Sequence, residues 1–154
     1  MLEEAEPIVS GAEEGRAVEC LGALCTTLVS SAATGGAMGM VELRVPIGGG
    51  TPMHVHRREE ETLHVLEGRF RFWCGERVWT AGEGATAVLP RDVPHAFRNI
   101  GDGPGQLLEI ITPGGFERFF EQCGARELRP PEDAAELQAL GAEFGLEISG
   151  PPPA

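Results

Sequence analysis

Residues 51–68, TPMHVHRREEETLHVLEG, hold three of the chain's four histidines. His54 and His56 stand two apart, and Glu59, Glu60 and Glu61 follow in a row before His64. The sequence around the histidine pair is strand-like, and side chains two apart on a strand share a face. The two imidazoles are then about 7 Å apart along the strand and can converge on one ion. A carboxylate has to arrive from the next strand, and all three glutamates are candidates. Alternation separates them: Glu61, Leu63 and Val65 share one face, while Thr62, His64 and Leu66 share the other. With Leu63 and Val65 toward the core, Glu61 points inward and Glu60 and His64 point away. Glu59 and Glu60, with Arg57 and Arg58, then read as a solvated charged turn, and His64 as a surface or sheet-packing residue.

The remaining histidine, His95, lies in LPRDVPHAFRN, where Pro90 and Pro94 stiffen the approach and His95, Phe97 and Asn99 alternate inward. Three neutral imidazoles and one carboxylate fill four positions around an ion and leave room for a ligand, as a catalytic metal requires. Asn99 reads as a structural hydrogen-bonding residue at a strand end.

Around this segment, 22 glycines and 12 prolines divide the chain into short pieces, a spacing that favours a sandwich or barrel. Strand candidates run through 17–30 (two short pieces), MVELRV at 40–45, TLHVLEG, RFRFWC, VWTA, ATAVLP, HAFRNI and QLLEIIT, with a C-G-E-R hairpin turn after RFRFWC. The pattern then changes period. Phe116, Phe119, Phe120 and Cys123 recur at helical spacing, as do Leu137, Leu140 and Phe144, with Gly145 placed to end the second helix. Both stripes read as core-facing. The expected organisation is an acidic arm over 1–16, a β-barrel domain over 17–115, and a helical extension with a Pro-rich tail over 116–154.

The net charge of −12 comes from 24 acidic residues against 12 arginines, with no lysine. That balance repels phosphate backbones and anionic lipid, so no nucleic-acid or membrane partner is expected. The lack of lysine also excludes Schiff-base chemistry and a P-loop ATPase. The N-terminus is acidic and lacks the regions of a secretory signal, which makes the cytoplasm the expected compartment. Cys20, Cys25, Cys74 and Cys123 show no C-x-x-C spacing and read as free thiols.

The spacing G-x5-H-x-H-x4-E-x6-G is met by Gly48, His54, His56, Glu61 and Gly68, and G-x5-P-x-G-x2-H-x3-N by Gly84, Pro90, His95 and Asn99, with Asp92 in place of the middle glycine. In these residues the chain resembles the cupin family. The resemblance implies an all-β fold, a double-stranded β-helix (jelly-roll barrel), here with short C-terminal helices. It also implies one divalent ion, Fe, Mn, Ni, Co, Cu or Zn, held by His54, His56, Glu61 and His95. Shorter segments, SSAATGGAMGMVELRV, TPGGFERFF and GLEISGPP, resemble bacterial quercetinase-like cupins. That likeness implies a dioxygenase acting on a small aromatic, phenolic or enolisable substrate, with Glu61 as both ligand and catalytic base. The alternatives are a non-enzymatic metal-containing binding or sensor module, or another cupin reaction such as isomerisation or decarboxylation. Parity places Leu63, Val65, Phe70, Phe72, Leu89 and Phe97 on the pocket walls, with no arginine among them, which disfavours a phosphorylated sugar. The resemblance further implies that strand edges and one apolar sheet face need cover, so a homodimer is expected.

Overall fold

The computed structural model describes residues 6–11 and 17–154; residues 1–5 and 12–16 of the expected acidic arm lie outside the described residues. Ten strands come first: β1 (Ala17–Cys20), β2 (Ala23–Val29), β3 (Gly39–Val45), β4 (Met53–His56), β5 (Glu60–Glu67), β6 (Phe70–Cys74), β7 (Arg77–Ala81), β8 (Thr86–Leu89), β9 (His95–Asn99) and β10 (Gly105–Thr112). Helices α1 (Glu117–Ala125) and α2 (Ala134–Glu143) follow, and the chain returns as β11 (Leu146–Gly150). Two antiparallel sheets result, in the orders β1-β2-β3-β10-β5-β8 and β11-β4-β9-β6-β7. This is the all-β jelly roll that the family resemblance implied, and it answers the sandwich or barrel that the short alternating segments favoured.

Alternation decides which residues enter the core. In β3, Val41, Leu43 and Val45 are buried while Arg44 is exposed; in β6, Phe70 and Phe72 are buried around an exposed Arg71. Phe70, Phe72, Leu63, Val65, Leu89, Leu107 and Ile111 fill the space between the sheets. Each contributes about 1.5–3 kcal/mol of burial free energy. The β6–β7 hairpin closes through Gly75 at φ 59°, with Cys74 opposite Arg77, as a two-residue turn demands. Asp92, the departure from the family spacing, has φ 67°. It adopts the left-handed conformation that the replaced glycine would supply, which Asp tolerates better than most residues. Asn99 is buried; its Nδ2 donates to the carbonyls of Val45 and Gly103, and its Oδ1 accepts from Gly101 N–H. It ties a strand end to two loops, the structural role read from its position.

The C-terminal segment is built into the sandwich. Phe116, Phe119 and Cys123 are buried and Phe120 is half-buried, so the helical stripe faces inward. Glu117 anchors the start of α1: its carboxylate accepts N–H bonds from Ser31 at 2.6 Å and Gly115 at 2.7 Å. After α2, Gly145 turns the chain at φ 72°, and β11 pairs with β4, Leu146 opposite His56 and Ile148 opposite His54. The expected helical extension therefore ends in a strand, one that flanks the histidine-bearing strand on the side away from β9. Arg57 links this strand to the loop before β9 through ion pairs with Glu147 and Asp92. All four cysteines are free. No helix among the described residues is long and apolar enough to cross a membrane.

Candidate metal centre

His54 and His56 both project inward from β4, and His95 stands opposite His54 on the neighbouring β9. Glu61 comes from β5, in the other sheet. The four side chains are buried, and one ligand atom from each lies within 4.8 Å of the others. Glu61 bridges two of the rings: its Oε1 is 2.8 Å from His56 Nε2 and its Oε2 is 2.9 Å from His95 Nε2. Inward parity on two facing sheets brings these four groups to one point.

The hydrogen bonds around the rings test whether a cation fits. His54 Nδ1 lies 2.8 Å from the Pro52 carbonyl oxygen, His95 Nδ1 3.0 Å from that of Val93, and His56 Nδ1 2.8 Å from Glu59 Oε1. A carbonyl or carboxylate oxygen only accepts, so each Nδ1 carries the hydrogen and donates. All three Nε2 atoms then belong to the cluster and offer a lone pair to an ion, which at His95 would replace the 2.9 Å hydrogen-bond contact between Nε2 and Glu61 Oε2. Although 2.8 Å from Glu61, His56 Nε2 is not aligned for a hydrogen bond and stands as a buried, unpartnered nitrogen. Three preset imidazole donors, one carboxylate and an unanswered buried nitrogen fit a divalent ion well.

Glu59 departs from the expected solvated turn. It is 5% exposed and holds His56 through Nδ1. Glu60 does sit at the surface, paired with Arg91 at 2.7 Å. His64 is also off the site: its Nδ1 meets the Thr86 hydroxyl at 2.7 Å on the outer side of β5. Strand parity does not extend into the turn after His56, so the sequence pattern carried no signal for Glu59. Glu109 was also missed, but here parity did offer a signal. It alternates with Leu107 and Ile111 on β10, which puts a carboxyl group on the buried face.

The charges in this cluster act on one another. Burial pushes His54 down to about 3, helped by the neighbouring His95. Burial also opposes protonation of His56, but the Glu61 charge and the contacts with Glu59 and Glu61 prevail and raise it to about 9. Glu61 is raised by burial yet held well below the usual carboxylate range by the His56 charge, by the hydrogen bond from Glu109 and by the contact with His95 Nε2. Glu109 is driven well above that range by its burial and by the Glu61 charge.

A cavity of about 60 Å³ opens onto the cluster, room for a few water molecules. His54, His56, Glu61 and Glu109 line it together with Phe97, Phe116, Phe119, Phe120, Leu43, Val45, Leu146 and Ile148. No arginine is on the lining. Of the six residues expected on the walls, Phe97 is present. Leu63, Val65, Phe70, Phe72 and Leu89 instead pack into the core between the sheets. Their inward parity is right, but parity says nothing about depth along the barrel. The missing walls come from the β1–β2 hairpin, α1 and β11. Phe116 sets its ring edge-on to His56, centroids 4.4 Å apart, and stacks on Phe119. Gly50 also lines the cavity, and a Cβ there would collide with the Phe97 carbonyl oxygen.

Residues 41–111 match the family described as "Cupin domain". An uncharacterized protein of Methanocaldococcus jannaschii is 32% identical over 74 residues, 48% of this chain and 59% of that protein. Quercetin 2,3-dioxygenase of Aspergillus japonicus is 31% identical over 78 residues, 46% of this chain and 21% of the enzyme. Both matches thus span less than two thirds of the relative's own length. Among solved structures, a predicted oxalate decarboxylase from Thermotoga maritima superposes with a TM-score of 0.62 at 19% identity, covering 69% of this chain and 99% of that one. At that identity the likeness concerns the fold alone.

Proposed function

Because this chain belongs to the cupin superfamily through residues 41–111, we propose that it is a metal-dependent dioxygenase acting on a compact phenolic or enolisable molecule. The observation that carries this reading is the pairing of a three-histidine, one-glutamate cluster with a cavity walled by Phe97, Phe116, Phe119 and Phe120. An apolar, aromatic enclosure suits a flat, weakly hydrated ring or enol, and a wall without arginine gives a phosphate no clamp. Similarity to a quercetin 2,3-dioxygenase supports the reaction class.

His54, His56, His95 and Glu61 would hold the ion. When bound, it supplies a redox-capable Lewis acid that favours an anionic oxygen ligand. The chain's own groups do the rest. Glu59 keeps the His56 ring turned with Nε2 toward the cluster. The phenylalanines exclude water from the reacting molecule. Glu61, ionised, accepts the proton as the substrate's hydroxyl enters the cluster.

Oxygen consumption by metal-loaded protein with compact phenols and β-diketones tests this function. Glu61→Gln at matched metal occupancy should still bind such a ligand and lose turnover by about a hundredfold or more, the usual scale for a missing general base. Turnover near wild type in that variant would remove Glu61 as the base. Binding without oxygen consumption, whichever metal is loaded, would replace the dioxygenase with a binding or sensor module.

A further inference from the structure

One carboxyl group in the cavity wall has no place in the metal set. Glu109 sits on β10 between Leu107 and Ile111 along the buried face, opposite Val41 on β3 and Leu63 on β5. All four of these neighbours are buried apolar side chains. A carboxyl group among them is unfavourable unless a partner answers it. Its Oε2 is buried and receives no hydrogen bond from any described group. Its other polar contact is the hydrogen bond it gives to Glu61, which leaves Oε2 still without a donor. What remains open to Glu109 is the cavity, which it lines beside His54, His56 and Glu61.

We propose that Glu109 recognises the bound small molecule by accepting a hydrogen bond from a hydroxyl next to the oxygen that enters the metal cluster. This rests on the cavity being a site for compact phenols or enols and narrows that class to vicinal compounds, catechols and enediols. Because Glu61 belongs to the cluster and Glu109 touches Glu61, the two recognition points are one carboxyl group apart. A hydroxyl on the adjacent carbon spans that gap, and a phenol with a single hydroxyl does not. The role needs only an acceptor, which both a carboxylate and the carbonyl oxygen of a carboxylic acid provide. Apart from Glu61, no other carboxyl group among the described residues lines the cavity.

The test uses zinc-loaded protein and calorimetric binding of two probes, catechol and 2-methoxyphenol, which differ in the hydrogen of the second oxygen. Wild type should prefer catechol. Glu109→Leu should lose about tenfold or more of that preference, the effect of one hydrogen bond to a buried acceptor. Any direct chelation of zinc by catechol cancels, because the comparison is of preferences. Glu109→Gln should keep most of the preference, since its amide oxygen also accepts. Zinc content should match wild type in both variants, and Glu109→Met gives the same comparison if the leucine protein does not fold. An unchanged preference in Glu109→Leu or Glu109→Met, or a wild type that binds the two probes equally or binds neither, would overturn the assignment. The dioxygenase reading fails separately: a protein that keeps the Glu109-dependent preference but consumes no oxygen loses the reaction and retains the residue.

Discussion

Lowering the pH from about 8 to about 6 should weaken metal binding about a hundredfold through His56 alone. In the metal-free protein His56 is raised to about 9 by Glu61 and Glu59 against the effect of burial. Over this range the ring carries a proton that has to leave before Nε2 can bind a cation. Each pH unit below that pKa then weakens binding tenfold, about 1.4 kcal/mol, or about 2.7 kcal/mol over two units. His54, pushed down to about 3, stays neutral throughout, and Glu61, held well below the usual carboxylate range, stays ionised. Folding responds in the opposite direction. The folded-state pKa of His56 is raised, so the stability it lends the metal-free chain is fully present below 6.5 and is lost as the pH rises through about 9. The metal-free melting temperature should therefore fall over that window, while metal affinity climbs. Competition against a chromophoric chelator at several pH values measures the affinity. Calorimetry in buffers of different ionisation enthalpy counts the protons released. An affinity that stays flat between about pH 6 and 8 would refute the reasoning, because His56 would then be neutral before the metal arrives.

Replacing His54, His56 or His95 with alanine should abolish stoichiometric metal binding, measured by elemental analysis, whereas His64→Ala should leave it unchanged. Full occupancy in any of the first three variants defeats the four-residue set. Glu59→Ala should weaken metal affinity by about 10- to 100-fold at a pH high enough to deprotonate His56, because the imidazole loses the acceptor that orients it; Glu59→Gln, which can still accept, should lose less. Light scattering should give a homodimer assembled through the N-terminal strands and the outer sheet face, and a monomer near 16.4 kDa at micromolar concentration would count against it.

His54, His56, Glu61 and His95 were legible because each lies in a strand whose own apolar neighbours reveal which way it points. The same rule located Asn99 and turned His64 outward. It failed for Glu59, which sits between strands, where the chain folds back and returns the carboxylate to the imidazole three residues earlier. It failed differently for Leu63, Val65, Phe70, Phe72 and Leu89: alternation assigns a face, but which part of that face meets the cavity depends on what covers it. Phe116 and Leu146 cover it from far along the chain, and local periodicity contains nothing about that contact. Strand β11 is only five residues long and follows a helix directly, so the alternation of Leu146 and Ile148 was too brief to separate it from the tail.

Anomalous diffraction at the absorption edge of a single loaded divalent metal tests the central claim most directly. One peak per chain is predicted, bonded to Nε2 of His54, His56 and His95 and to the Glu61 carboxylate, with each Nδ1 still turned toward Pro52, Glu59 or Val93. An empty cluster at saturating metal, or a peak away from these four residues, would contradict it.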